Sequence, residues 1–361
     1  MKVALVCGPC PPGACGVGDY TVCLAGALNH RGIESHVISS GGWNLLRDVQ
    51  CTAGSGVAKF DVVHIQYPTV GFGGALIPQG LALRQRCVVT VHEVSRAHIL
   101  RKLALLPFSI RPVRLIFTSE CERQFAMRWV PWISKVSCVI PITSNISTFE
   151  GSSKRSLDEI LYFGLIMPNK GLESVIALGE LVKVSGLSFR IRIVGSCPPK
   201  YGAYFEDLKS RASTFPIIWD HELTEQQVAG RLASSSIAYL PYPDGVSERR
   251  ATFKAALLNG VTVITTRGKD TPSELEDLVS FCTTPEEALV AARFLAGNVE
   301  KRTELANRAR RYARRFTWDS IAEAHFALYR DIVGTKTSRE RGGVSFDVST
   351  NPARGKCSRP D

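Results

Sequence analysis

Long apolar runs are absent from this sequence, and no stretch approaches the ~20 residues that a membrane-spanning helix needs. The N-terminus, MKVALVCGPC, is typical of a strand followed by a turn rather than of a signal peptide. Without an export signal, the protein is expected in the cytoplasm.

An even set of cysteines, as a disulfide framework would use, is also missing. The eleven cysteines are scattered through apolar segments and fit a reduced compartment, mostly as small core residues. The CGPC motif at 7–10 resembles a thioredoxin active site, but two prolines and a glycine loop follow where that fold continues into its helix. A zinc site formed by Cys7, Cys10 and Cys15 lacks a clear fourth ligand. The sequence therefore disfavours both roles.

Acidic residues are outnumbered: 33 Asp and Glu face 44 Lys and Arg, for a net charge of +11. This charge is compatible with nucleic acid, an anionic membrane surface or phosphorylated substrates, although no nucleic-acid-binding motif accompanies it. With 361 residues, 45% of them hydrophobic, the chain is long enough for two domains with large cores.

Short apolar strands alternate with helical patterns in both halves of the chain. A strand at 2–7, a glycine-rich loop at 8–18, a helix at 19–31 and a strand at 35–39 form a β-α-β unit. Further strands are predicted at 62–66, 88–92, 115–118, 136–140, 159–163, 189–194, 217–219, 237–240 and 261–266.

This alternation predicts an α/β protein with two successive Rossmann-like domains, 1–150 and 156–312. The polar segment 150–155 is the best linker. The pattern from 285 to 333 is helical, and the polar tail 334–361 is predicted to be disordered.

The stretch 239–266 predicts a strand, a loop, a helix and a strand, with the helix starting just after Ser247, Arg249 and Arg250. A helix N-terminus offers unpaired N–H groups and about half a positive charge, so two added guanidinium groups make an anion site suited to phosphate. An ordinary solvated helix start is the alternative, and the sequence leaves both open.

Five segments, in this order and spacing, resemble the retaining family 4 group of the GT-B glycosyltransferases: 11–28, 90–93, 162–176, 193–196 and 242–266. The resemblance covers about residues 1–332. It implies two Rossmann-like domains facing each other across a cleft, with the acceptor in the first and a nucleotide-sugar donor in the second. It also implies a closing helix at 313–333 that returns to the N-terminal domain.

The resemblance also implies site residues in the first half. Gly13, Gly16 and Gly18 let backbone N–H groups approach a ligand before a helix N-terminus, although a plain tight turn is the alternative. His92, expected at the carboxyl end of a strand, corresponds to a family histidine that contacts the transferred sugar; a structural histidine is the alternative. His64 is the weaker candidate.

In the second half, Lys170 corresponds to a lysine that binds the donor diphosphate, where its charge stabilises the leaving group. A solvated loop lysine is the alternative. The expected donor-binding set also contains Gly164, Gly195, Ser247, Arg249 and Arg250, with Arg249 counted among the catalytic residues together with Lys170 and His92.

The sequence departs from the family pattern in two places. Leu165 stands where the family usually has an arginine, and Val246 and Lys254 stand where many members have two glutamates. Arg249 and Arg250 are expected to supply the missing positive charge. These departures put recognition of the nucleotide ribose, and with it the identity of the donor, in doubt.

A basic and apolar stretch between Arg84 and Lys135 admits two interpretations. It fits a surface that lies on an anionic leaflet and collects a lipid-linked acceptor, and it fits equally a core-facing apolar stripe with a solvated basic back.

The sequence thus predicts a hexosyltransferase that uses a nucleotide-diphosphate sugar as co-substrate, retains configuration, and needs neither a metal nor another cofactor. Its acceptor is a glycan, a lipid-linked sugar or a small molecule. The alternatives are a nucleotide-sugar epimerase and a catalytically degenerate GT-B scaffold or partner subunit.

Overall fold

Two units, each built on a parallel β-sheet, make up the part of the chain that the computed structural model describes. The described residues are 1–10, 16–39, 59–72, 76–84, 87–95, 97–103, 105–110 and 113–339. The first unit comprises Met1–Ile142 and the C-terminal helix from Trp318 onward, and the second comprises Thr143–Thr317.

The first unit has a six-stranded parallel sheet in the order β2-β1-β3-β4-β5-β6. Its strands are β1 (Lys2–Cys7), β2 (Glu34–Ser39), β3 (Val62–Tyr67), β4 (Cys87–Val91), β5 (Arg114–Phe117) and β6 (Ser137–Val139). Its helices are α1 (Gly16–His30), α2 (Ile77–Arg84), α3 (Ile99–Leu103), α4 (Leu106–Ile110) and α5 (Glu120–Trp129). The central strands β3 and β4 are buried along their whole length, as expected of parallel strands covered on both faces.

The second unit repeats this architecture with the strand order β12-β11-β10-β7-β8-β9. Its strands are β7 (Ser156–Phe163), β8 (Arg190–Val194), β9 (Ile217–Asp220), β10 (Ser235–Leu240), β11 (Thr262–Thr265) and β12 (Ser280–Phe281). Its helices are α6 (Leu172–Val184), α7 (Gly202–Arg211), α8 (Glu225–Ser234), α9 (Ala251–Leu258), α10 (Pro285–Gly297) and α11 (Val299–Ala313). The predicted α/β class with two Rossmann-like units is confirmed.

Helix α1 begins earlier than predicted. Gly16 and Gly18 belong to its first turn rather than to the preceding loop, and the hydroxyl of Thr21 donates to the carbonyl of Val17, 2.6 Å away. A Cβ on Gly18 would lie 2.1 Å from the carbonyl oxygen of Pro9, so this glycine lets the first turn pack directly on the Pro9 backbone. Gly13 lies outside the described residues.

The chain enters the second unit before the predicted linker. The unit boundary follows Ile142, and the amide of Phe149 already donates to Asn259 Oδ1, 3.0 Å away, within the second unit. The polar composition of 150–155 therefore marks a surface segment of the second unit rather than the point of division.

The final helix, α12 (Trp318–Arg339), extends beyond the predicted end at 333. Residues 334–339, expected in the disordered tail, are helical, and 340–361 lie outside the described residues. Helix α12 packs on the first unit, where the ring of Trp318 lies 5.3 Å from that of Tyr20. None of the described helices has both the length and the apolar character needed to cross a bilayer.

Candidate functional site

Four loops meet at the carboxyl edge of the second sheet, where open α/β sheets bind their ligands. They follow β7, β8, β10 and β11 and comprise residues 164–171, 195–198, 241–250 and 266–272. Val246 connects the last two, because its amide donates to Thr266 O (2.9 Å) and its carbonyl accepts from Thr271 Oγ1 (2.7 Å). The loops thus form one continuous surface at this edge.

Glycines allow the backbones of these loops to touch. A Cβ on Gly195 would lie 1.8 Å from the carbonyl oxygen of Gly164, and one on Gly171 would lie 1.9 Å from that of Pro241. Gly171 also has a φ of 82°, which side-chain-bearing residues rarely adopt. Gly164 and Gly195 therefore lie against each other, and this packing alone requires glycine at position 195. Their predicted role in donor binding stays a prediction.

Lys170 lies in a tight turn between Asn169 and Gly171, both of which have positive φ angles. Its side chain is half-buried, and its carbonyl accepts a hydrogen bond from the hydroxyl of Tyr162, 3.1 Å away. Burial raises the pKa of Tyr162, while the positive charge of Arg250 acts in the opposite direction. The Tyr162 hydroxyl is thus held by the backbone of Lys170 and is close enough to Arg250 to feel its charge.

Both arginines of the 241–250 loop are held by carboxylates that the sequence patterns did not predict as partners. Arg249 lies 3.4 Å from Asp270 Oδ2, and Arg250 pairs with Asp244. The Arg250 guanidinium also stacks 4.7 Å from the ring centre of Tyr242. The arginines are therefore pre-oriented, but an incoming anion has to share them with Asp244 and Asp270.

Two buried polar atoms in this loop have no hydrogen-bond partner among the described residues: Ser247 Oγ and Arg250 Nε. Ser247 is only 5% exposed. Arg250 is the N-cap residue of α9, and no side chain caps that helix start. Because a buried donor without a partner is costly, this cluster suits an anion that accepts these hydrogen bonds.

Lys254 occupies the position where the family resemblance implies a glutamate. It is buried, and its ammonium lies 4.2 Å from the centre of the Phe316 ring. Burial lowers the pKa of Lys254 to about 8, and the nearby Glu248 partly opposes this shift. Lys254 is therefore a buried cation on α9, where the resemblance implies a carboxylate.

In the first unit, His92 follows β4 directly and belongs to a buried polar network. His92 Nε2 lies 2.8 Å from Gln66 Oε1, and Gln66 Nε2 lies 3.3 Å from His64 Nε2. His64 Nε2 is also 2.7 Å from Thr90 Oγ1, and His64 Nδ1 is 2.6 Å from the hydroxyl of Tyr329.

One assignment of hydrogens satisfies this network. His92 Nε2–H donates to Gln66 Oε1, the Gln66 amide and Thr90 hydroxyl donate to His64 Nε2, and His64 Nδ1–H donates to Tyr329. In this assignment His92 carries its proton on Nε2, and Nδ1 is its acceptor.

Burial keeps the histidines of this region neutral. It lowers the pKa of His92 and of His325 to about 4 and that of His64 well below its usual value, and His325 contributes to the shifts of the other two. The ring of His92 packs edge-on against Tyr20, 5.3 Å away. Gln66 was not predicted from the sequence, although it follows His64 by two residues, a spacing that points side chains to one face of a strand.

The predicted site residues fall into two groups. Gly16, Gly18 and His92 belong to the first unit, whereas the other six belong to the second. Among the described residues, no group of three or more His, Cys, Asp or Glu side chains is arranged to hold a metal ion. The second-unit group has the chemistry of an anion site, and the first-unit group offers a neutral imidazole.

The two units together have the GT-B fold, so the predicted resemblance is confirmed at the level of fold. HepE from Anabaena, solved with UDP and glucose, superposes with a TM-score of 0.70 at 13% identity over 92% of this chain and 100% of that one. Sucrose-phosphate synthase from Thermosynechococcus elongatus gives 0.69 at 15% identity over 93% and 100%.

WaaG, a glycosyltransferase involved in lipopolysaccharide biosynthesis, gives a TM-score of 0.63 at 15% identity over 92% of this chain and 100% of that one. No protein-family model matches the sequence, and no curated protein matches it either. At such low identities the likeness concerns the fold.

Proposed function

We propose that this protein is a glycosyltransferase that moves a sugar from a nucleotide-diphosphate sugar to an acceptor hydroxyl. The observation that carries the proposal is a pair of buried donors at the start of α9, Ser247 Oγ and Arg250 Nε, which have no partner among the described residues. A phosphate oxygen accepts both hydrogen bonds and lies at the positive end of the helix. HepE, which has the same fold, is solved with UDP and glucose.

In this proposal the second unit stabilises the leaving diphosphate. Negative charge develops on the phosphate oxygen as the bond to the sugar breaks, and fixed positive charges nearby lower that barrier. Lys170 supplies an ammonium from its tight turn, while Arg249 and Arg250 supply guanidinium groups that Asp270 and Asp244 keep oriented. These three cations take the role that a divalent ion has in other transferases.

The first unit, in the same proposal, contributes His92 as a contact to the transferred sugar. Its neutral state and fixed Nε2–H leave Nδ1 to accept a hydrogen bond from a sugar hydroxyl. We further propose retention of configuration, a glycan, lipid-linked sugar or small molecule as acceptor, and no cofactor besides the nucleotide sugar. No enzymic nucleophile is assigned.

Donor binding is tested by thermal unfolding with a panel of nucleoside diphosphates and their sugars. A ligand present at a hundred times its Kd stabilises the folded state by about 2.7 kcal/mol. Lys170→Ala is expected to weaken this effect and to lower turnover about a hundredfold. Lys154→Ala, which removes an exposed cation just before β7, at the amino end of the strand, is the matched control and should behave like the wild type.

The outcomes separate the alternatives. Stabilisation by no nucleotide in the panel would indicate a degenerate scaffold. Donor binding followed by isomerisation of the free nucleotide sugar, with no transfer or release of sugar, would indicate an epimerase. Wild-type activity in the Lys170→Ala variant would contradict the assignment of the leaving-group site.

A further inference from the structure

We propose that the first unit docks on an anionic lipid surface through a patch of exposed apolar side chains on α3, α4 and the end of α5. We call it the tryptophan patch; it consists of Ile99, Leu103, Leu106, Trp129 and Trp132. This inference does not depend on the transferase activity, because lipid binding is measured without a sugar donor.

The structure distinguishes the two interpretations that the sequence left open. Trp129 and Trp132 are 55% and 54% exposed, and Ile99, Leu103 and Leu106 are exposed as well. In the same stretch Leu105 and Phe108 are buried, and those two side chains form the part that faces the core. Core packing therefore does not explain the exposed residues of the tryptophan patch.

Lys102 connects two segments of the patch, α3 and α5. Its ammonium lies 4.8 Å from the ring centre of Phe125 and 6.0 Å from that of Trp129, so α3 lies against α5. Ile99 and Leu103 are four residues apart on α3 and share one face of the helix. Trp132 lies three residues after Trp129, in the 3₁₀ segment Pro131–Lys135 that follows α5.

The segment that carries these apolar side chains is rich in positive charge. Between positions 96 and 135 the sequence has eight Lys and Arg residues against two Glu. Glu122 is buried and accepts hydrogen bonds from the amides of Val94 (2.7 Å) and Ser95 (2.9 Å), so it faces inward. Arg128 and Lys135 are exposed on either side of the two tryptophans. The tryptophan patch thus combines exposed apolar side chains with neighbouring positive charges.

This combination favours a lipid surface over other partners. Three aliphatic side chains bury in hydrocarbon, whereas nucleic acid offers them no apolar partner. Indole rings prefer the boundary between headgroups and acyl chains, and cations beside them attract anionic headgroups. A symmetric contact with a second copy of this chain would bring like charges together.

Vesicle co-sedimentation tests the proposal with the full chain. Phosphatidylcholine vesicles containing about 30% phosphatidylglycerol should bind the wild type at least about tenfold more tightly than phosphatidylcholine alone. Trp129→Ser with Trp132→Ser should weaken this binding about tenfold or more. Arg128→Glu with Lys135→Glu should remove the preference for phosphatidylglycerol.

The matched control removes similar apolar surface from the second unit. Phe294→Ser with Val290→Ser changes two exposed residues on α10, the first of them 56% exposed, and should leave vesicle binding unchanged. Circular dichroism and melting temperature confirm that each variant is folded.

Three outcomes would overturn the proposal. The first is that wild type does not sediment with either vesicle. The second is that the tryptophan variant and the α10 control bind equally well. The third is that the tryptophan substitutions dissociate a dimer, or abolish binding of a single-stranded oligonucleotide, while vesicle binding stays unchanged; the patch would then serve a second copy or a nucleic acid.

Discussion

Acidification should destabilise the first unit through its buried histidines. Burial lowers the pKa of His92 and of His325 to about 4, whereas the ordinary pKa of histidine, expected in the unfolded chain, is 6.5. The folded state therefore binds fewer protons than the unfolded state between these two values. The stabilisation is complete above about pH 6.5 and is lost as the pH falls toward about 4.

The size of the effect follows from the two pKa values. One pKa unit corresponds to about 1.4 kcal/mol, so lowering the pH from about 7.5 to about 5 should cost about 2 kcal/mol for each of these two histidines. His64, whose pKa is also lowered, acts in the same direction. A total near 4 kcal/mol is a large part of the stability of an ordinary domain.

Urea unfolding across this pH range, combined with hydrogen exchange of the β3 and β4 amides, measures the loss in the first unit. His325 donates from Nδ1 to the carbonyl of Ile321, and its buried Nε2 has no partner among the described residues. His325→Phe should therefore be tolerated and should reduce the pH dependence by about 2 kcal/mol. His30→Gln, at an exposed position, should leave it unchanged. Equal pH dependence in wild type and His325→Phe would refute the reasoning.

Three further predictions concern packing and thiol chemistry. Lys254→Met should stabilise the second unit by about 1–3 kcal/mol at neutral pH, because burial disfavours the charged lysine and lowers its pKa to about 8. As the pH rises above about 8, the folded wild type loses this charge before the unfolded chain does. The free energy of unfolding should therefore rise with pH in the wild type and not in the variant. Gly171→Ala should lower the free energy of unfolding, measured with denaturant, by more than about 2 kcal/mol, because the added Cβ would meet a carbonyl oxygen. Gly186 also has a positive φ, 61°, but open space around it, so Gly186→Ala should lower that free energy by only about 1 kcal/mol. The sulfurs of Cys7 and Cys10 lie 3.3 Å apart, so diamide should take two electrons and two protons from them and form a disulfide. Mass spectrometry should detect this disulfide in the wild type and not in Cys10→Ser. Two remaining thiols at these positions after treatment would refute the prediction.

Local patterns predicted most of the second unit. The helix Ala251–Leu258 has its predicted bounds, because a Pro/Asp/Gly loop precedes it and Asn-Gly follows it. The two-residue strand Ser280–Phe281 was missed, since so short an element has no periodicity to detect.

Partners far apart in the chain were beyond sequence reasoning. Arg249 meets Asp270 from the following loop, and His64 meets Tyr329 across 265 positions. Only the folded sheet brings such residues together, so the arginines looked more available for phosphate than they are. The start of α1 was placed too late because two glycines argue locally against a helix, whereas Gly18 allows the packing on Pro9 that fixes the first turn.

The N-terminal unit takes its last helix from the opposite end of the polypeptide. Ile321, Ala322 and Tyr329 of α12 are buried in the same cluster as Leu5 and Leu24. During synthesis this unit cannot complete that cluster until α12 has been made, and every strand of the second unit precedes α12 in the chain. The half made second is therefore the first able to complete its core, and a chain released before α12 leaves the earlier half exposed to aggregation.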